Sequence, residues 1–199
     1  MTPIKLSGAS VDASLSGFAS GVSGAAFTLT ANDSNDSLAH LVAVRNNAAT
    51  DHSGKTLALV GTGPNGEPQT ETLTGPAGNA TVTSTKYWLT LTSITPSATI
   101  GVDTFEIGWA AACVSPWFYL DRVARWGADS PNGLGFGCIV DSGSPTYTVQ
   151  HTYDGGATAF NHSTVASKTA AAEGSYSAPV QAVRLSFAAF GGVSLHGYM

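Results

Sequence analysis

Tyr147-Thr148-Val149-Gln150-His151-Thr152-Tyr153-Asp154-Gly155-Gly156 alternates apolar or aromatic residues with polar ones and then runs into two glycines. A two-residue period puts residues 147, 149, 151 and 153 on one face of a β-strand and Thr148, Gln150 and Thr152 on the other. The glycine pair reads as the turn of a hairpin. Working outward, the same pattern recurs along the chain. Val183, Leu185 and Phe187 share one face and Ala182, Arg184 and Ser186 the other, while Phe105, Ile107 and Trp109 alternate with Thr104, Glu106 and Gly108.

Short strand-like runs are expected at 27–30, 38–45, 56–60, 69–74, 81–94 and 104–110, separated by Asp33-Ser34-Asn35-Asp36, Gly63-Pro64-Asn65-Gly66 and Gly75-Pro76. The pattern restarts near Cys113-Val114-Ser115-Pro116, with runs at 117–123, 134–140, 147–153, 180–187 and 193–199, Phe190-Gly191-Gly192 being read as the last turn. No stretch longer than ten residues keeps a helical period free of glycine or β-branched clusters, although 166–173 could form one turn. The expected fold is all-β: two tandem antiparallel β-sandwich domains, 27–112 and 113–199, preceded by an extended N-terminal arm over 1–26. The arm follows from composition, because Ser14-Leu15-Ser16-Gly17-Phe18-Ala19-Ser20-Gly21 has few apolar residues for a core.

The chain has 199 residues, a net charge of −5 and only 11% charged side chains, so much of its surface is small and neutral. No basic cluster is present to displace counterions from a nucleic-acid backbone, and nucleic-acid binding is not expected. Neither a signal-peptide core nor a membrane-spanning apolar run is read in the sequence, so synthesis in a cytosol and no membrane partner are expected. Cys113 and Cys138 can form neither a disulfide framework nor a four-ligand zinc site and read as buried free thiols. The sequons at Asn79 and Asn161 carry no weight without a secretory signal.

Candidate chemistry is sparse. Ile139-Val140-Asp141-Ser142-Gly143-Ser144 resembles the loop of an aspartic protease, whose paired carboxylates share a proton, but it reads more simply as a polar turn between strands. His151, Asp154 and His162 could converge on a metal, although a hydrogen-bonded or interfacial histidine is the commoner use of His151. Asn32-Asp33-Ser34-Asn35-Asp36-Ser37 offers oxygen ligands without the glycine and terminal glutamate of an EF-hand, and reads as a solvated turn. Gly-x-Ser-x-Gly, Walker and dinucleotide motifs do not occur. No catalytic residue, cofactor or metal site is therefore assigned, and an enzyme is not expected. Trp88 and Trp126 form a candidate exposed pair for stacking on a sugar, whereas Trp109 belongs to a core face and Trp117 to a domain junction.

Two segments resemble small β-rich virion proteins of tailed bacteriophages. One is Glu67-Pro68-Gln69-Thr70-Glu71-Thr72-Leu73-Thr74-Gly75-Pro76 with Thr81-Val82-Thr83-Ser84-Thr85-Lys86-Tyr87 and Ile107-Gly108-Trp109. The other is Tyr147 to Asp154 with Asn161-His162-Ser163 and Pro179-Val180-Gln181-Ala182-Val183-Arg184-Leu185. The resemblance implies a structural subunit of a virion, foremost a decoration or cement protein on the capsid exterior, and otherwise a tail, baseplate or fibre component. Implied partners are the major capsid protein or other virion proteins and further copies of the chain, as a homo-oligomer with a trimer favoured. The apolar side chains of the arm, Ile4, Leu6, Leu15 and Phe18, together with Trp88 and Trp126, are the expected partner contacts. A glycan-binding module is the alternative from another class.

Overall fold

In the computed structural model, residues 3–120 and 133–198 are described. The chain is all-β, with no helix among these residues. Its strands are β1 (Pro3–Ser10), β2 (Ser14–Val22), β3 (Ala39–Asn46), β4 (Thr56–Thr62), β5 (Pro68–Thr74), β6 (Thr81–Trp88), β7 (Thr90–Pro96), β8 (Phe105–Val114), β9 (Phe118–Tyr119), β10 (Leu134–Thr152), β11 (Phe160–Asn161), β12 (Ala172–Tyr176) and β13 (Ala182–Tyr198). Two compact units result: one is Asp12–Cys113, and the other joins the N-terminal strand to the chain from Val114 onward.

In the unit spanning Asp12–Cys113, β2, β8, β3 and β6 are hydrogen-bonded in that order, while β5, β4 and β7 form a separate three-stranded sheet. Leu57, Leu59, Leu73, Leu91 and Ile94 from the three-stranded sheet meet Phe18, Val42, Val44, Trp88, Phe105 and Ile107 in one core. Each such side chain stabilises the unit by roughly 1.5–3 kcal/mol on burial. The run expected as one strand over 81–94 is two strands. Leu89 lies between them, where the chain passes from β6, paired with β3, to β7, paired with β4. The expected strand at 27–30 does not form; Thr30 instead donates its N–H and hydroxyl to the Phe18 carbonyl at 2.8 and 2.9 Å.

The extended arm is the main correction. Its residues make two strands: β1 pairs along its whole length with β13, from Pro3 opposite Tyr198 to Ser10 opposite Gly191, and β2 pairs with β8. The small residues here mark close approach, not slack chain. A Cβ on Gly17 would sit 2.1 Å from the Trp109 ring, and one on Gly108 would sit 1.8 Å from the Ser14 carbonyl oxygen. Phe18 meets Trp109 edge to face, with ring centroids 5.1 Å apart.

The other unit has one sheet among the described residues, in which β13 lies between β1 and β10 over its C-terminal half and β12 and β11 extend the sheet beyond β10. Two expected turns, 141–145 and 190–192, are no reversals at all. They lie opposite one another inside the β10–β13 ladder, with Ser142 beside Gly192, Gly143 beside Gly191 and register shifts on either side. Gly143 and Gly191 take φ of 67° and 148°, and a Cβ on Gly191 would come within 2.6 Å of the Pro145 ring. Turn-forming residues facing each other produce paired bulges, which bend a strand without ending it. The hairpin at Gly155-Gly156 does form, and Phe160 and Asn161 of β11 return to pair with His151 and Gln150.

Candidate interaction surfaces

Of the five described side chains expected to touch partners, three are buried. Ile4 and Phe18 are each 2% exposed and belong to cores, Leu6 is half-buried, and only Leu15, at 36%, reaches solvent substantially. Trp88 is 2% exposed and its indole N–H is a buried donor with no partner among the described residues. It cannot offer a ring face to a sugar. Trp126 lies outside the described residues, as does the end of the run expected at 117–123. Trp117 is buried, with the Arg184 guanidinium 4.3 Å from its ring centroid.

Asp154 folds its own turn. Its carboxylate accepts hydrogen bonds from the Thr152 hydroxyl at 2.7 Å and the Thr158 N–H at 2.9 Å, and these hold its carboxyl at about 2. His162 Nδ1 accepts from the Val165 N–H at 3.2 Å, and Nε2 faces the Ser175 carbonyl at 3.2 Å. His151 Nδ1 faces the Tyr176 hydroxyl at 3.2 Å. The three residues therefore do not converge: among the described residues no group of three or more His, Cys, Asp or Glu side chains is arranged to hold a metal. Asp141 lies within β10, where its carboxylate accepts from the Ser194 hydroxyl at 2.6 Å. Cys138 is buried, and burial pushes its thiol up to about 11 against the opposing effect of a hydrogen bond with Tyr147.

The Asx-rich segment before β3 is a structural brace. Asp36 accepts from the Ser34 hydroxyl at 2.6 Å and the Leu38 N–H at 3.0 Å, and faces His40 Nε2 at 2.8 Å, while His40 Nδ1 faces the Ala110 carbonyl at 2.9 Å. Burial alone would raise the Asp36 carboxyl, but the bonds from His40, Ser34 and Leu38 together outweigh it and hold the group at about 2. A similar relay joins His52 to Asp103: Lys55 Nζ donates to His52 Nδ1 at 2.9 Å, so His52 presents its Nε2–H to Asp103, 2.8 Å away.

An aromatic ladder reaches the surface on the face that Tyr147, Val149 and His151 of β10 share with Tyr153, the residue just beyond the strand. Phe136 stacks on Tyr176 at 5.6 Å, His162 meets Tyr176 edge-on at 4.8 Å, His151 meets Tyr176 at 5.0 Å, and Phe160 stacks on His151 at 5.7 Å. Phe136, His162 and Tyr176 are buried and His151 is half-buried. The outer two, Tyr153 and Phe160, are 57% and 46% exposed with centroids 5.9 Å apart. Burial, then the neighbouring His162, pushes the His151 imidazole down from its ordinary value. Two adjoining exposed rings held by a buried ladder form a preorganised apolar contact surface. The periodicity of 147–153 placed Tyr153 on this face, but Phe160 comes from beyond the turn and carries no periodic signal. A second feature, an open groove of about 920 Å³, crosses β12, β10 and β13 and includes Gly135, Gly137, Ile139, Glu173 and His196 in its lining.

No family model matches the chain, and neither a curated protein nor a solved structure matches it.

Proposed function

We propose that this chain is a structural subunit of a tailed-phage virion, foremost a decoration subunit that adheres to the outside of the capsid shell and works with further copies of itself, in threefold groups. The observation that carries an adhesive role is the Tyr153–Phe160 patch, a pair of exposed aromatic rings in a chain with only 11% charged residues. Aromatic side chains backed by a rigid neighbourhood supply contact area at little cost in conformational freedom. The virion assignment is supported by the two segments that resemble phage structural proteins. In this reading the Asp12–Cys113 unit is a β-sandwich, and the unit bearing β10 and β13 presents the patch. A subunit bound across the seams of a shell stabilises it by mass action, because its contacts must break before the shell opens.

Co-sedimentation with undecorated expanded shells tests this. The wild-type chain should bind, and the double variant Tyr153→Ser, Phe160→Ser should remain folded and lose roughly tenfold or more in affinity, as expected for removal of a central aromatic anchor pair. Undiminished binding by the variant would remove the patch from the mechanism. A wild-type chain that ignores shells and binds tails would favour the tail or baseplate reading.

A further inference from the structure

The opposite face of the sheet, where Gly135, Gly137 and Ile139 lie, carries an ordered row of residues. Glu173 of β12 pairs with Gly137 of β10, Gly137 with His196 of β13, and His196 with Lys5 of β1. Directly opposed residues in a ladder share a face, so one line across four strands reads Glu, Gly, His, Lys. Glu173, His196 and Lys5 are exposed. Among the described residues none of the three side chains is engaged in a hydrogen bond or ion pair. Glu173 and Lys5 are separated by three strand spacings, about 14 Å, too far to pair within one copy. Between them the floor is open: a Cβ added at Gly135 or Gly137 would meet nothing within 4 Å.

We propose that this face docks against the same face of a second copy, in a twofold-symmetric pair. The row is its own complement. A twofold axis parallel to the strands and midway between β10 and β13 brings Glu173 of each copy over Lys5 of the other, and His196 of each copy over the bare Gly137 of the other. Charge meets opposite charge and a ring meets an open glycine, the self-complementarity that an isologous interface requires. Ile139, 52% exposed, lies two residues along β10 and adds apolar area beside the row. The face is only four strands wide, about 19 Å, so the contact belongs with weak interfaces that gain strength from repetition in an array. It links subunits pairwise and is separate from any threefold grouping. The pairing is a property of the purified chain, whether or not the chain belongs to a virion.

Sedimentation velocity of the full chain over a wide concentration range tests the pairing. The wild type should show reversible twofold association. Lys5→Glu and Glu173→Lys should each raise the dissociation constant roughly tenfold or more, and the double charge reversal should restore it. Gly137→Leu, which has space to fold, should also weaken association. Circular dichroism and a thermal melt confirm that each variant is folded. A wild type that stays monomeric throughout, association that the single reversals leave unchanged, or a double reversal that fails to recover would overturn the proposal.

Discussion

At the scale of single residues, Asp36 contributes to stability out of proportion to its place in a loop. Its side chain and that of His40 are each only 2% exposed, and they lie 2.8 Å apart. Removing the carboxylate leaves the Ser34 hydroxyl, the Leu38 N–H and the His40 ring without their partner, so Asp36→Ala should cost about 2–4 kcal/mol in urea unfolding. A loss of less than about 1 kcal/mol would show that the pair is an ornament of the loop. The same residue sets an acid limit. Its carboxyl is near 2 in the folded chain against 3.8 ordinarily, so its contribution is complete above about pH 4 and is lost as pH falls toward 2. Stability followed from pH 5 to pH 2 should fall less steeply in Asp36→Asn than in the wild type. Equal slopes would contradict the assignment.

At the scale of elements, β1 distinguishes a structural strand from a free arm. Ile4 is buried within a strand that pairs with β13 throughout, and Ile4→Ala should cost about 2–4 kcal/mol. A change within about 0.5 kcal/mol is what a surface residue gives, and would restore the arm. The alternation of Tyr147 to Tyr153 and of Val183 to Phe187 was legible because a period of two leaves its mark on a half-buried strand. Composition misled over 1–26. Glycine and serine mark slack chain and close packing alike, and only the position of Trp109 over Gly17 separates the two. Turn chemistry misled at Asp141-Ser142-Gly143 and Phe190-Gly191-Gly192 because each motif was read alone. Facing each other in one ladder they bend both strands together, a long-range pairing that local sequence does not encode. The surface patch was half legible for the same reason, since Tyr153 belongs to a periodic run and Phe160 joins it only through the hairpin. Residue type alone suggests an exposed ring at Trp88, whereas its register in β6 turns it into the core.

At the scale of the whole molecule, the chain buries most of its apolar side chains and leaves seven large ones exposed among the described residues, of which Tyr153 and Phe160 adjoin one another as rings and Ile139 flanks the charged row. With charge so low, such positions are where association with other proteins gains most and loses least to desolvation. Many weak contacts of this kind suit a repeating array better than a solitary complex, because each bound copy raises the effective concentration of contacts for the next. The direct measurement is cryo-electron microscopy of phage particles assembled in cells that express this chain, at a resolution that shows side chains. The account predicts copies repeating over the capsid exterior with Tyr153 and Phe160 seated against the shell. Particles that never contain the chain, or copies whose aromatic pair faces open solvent, would contradict it.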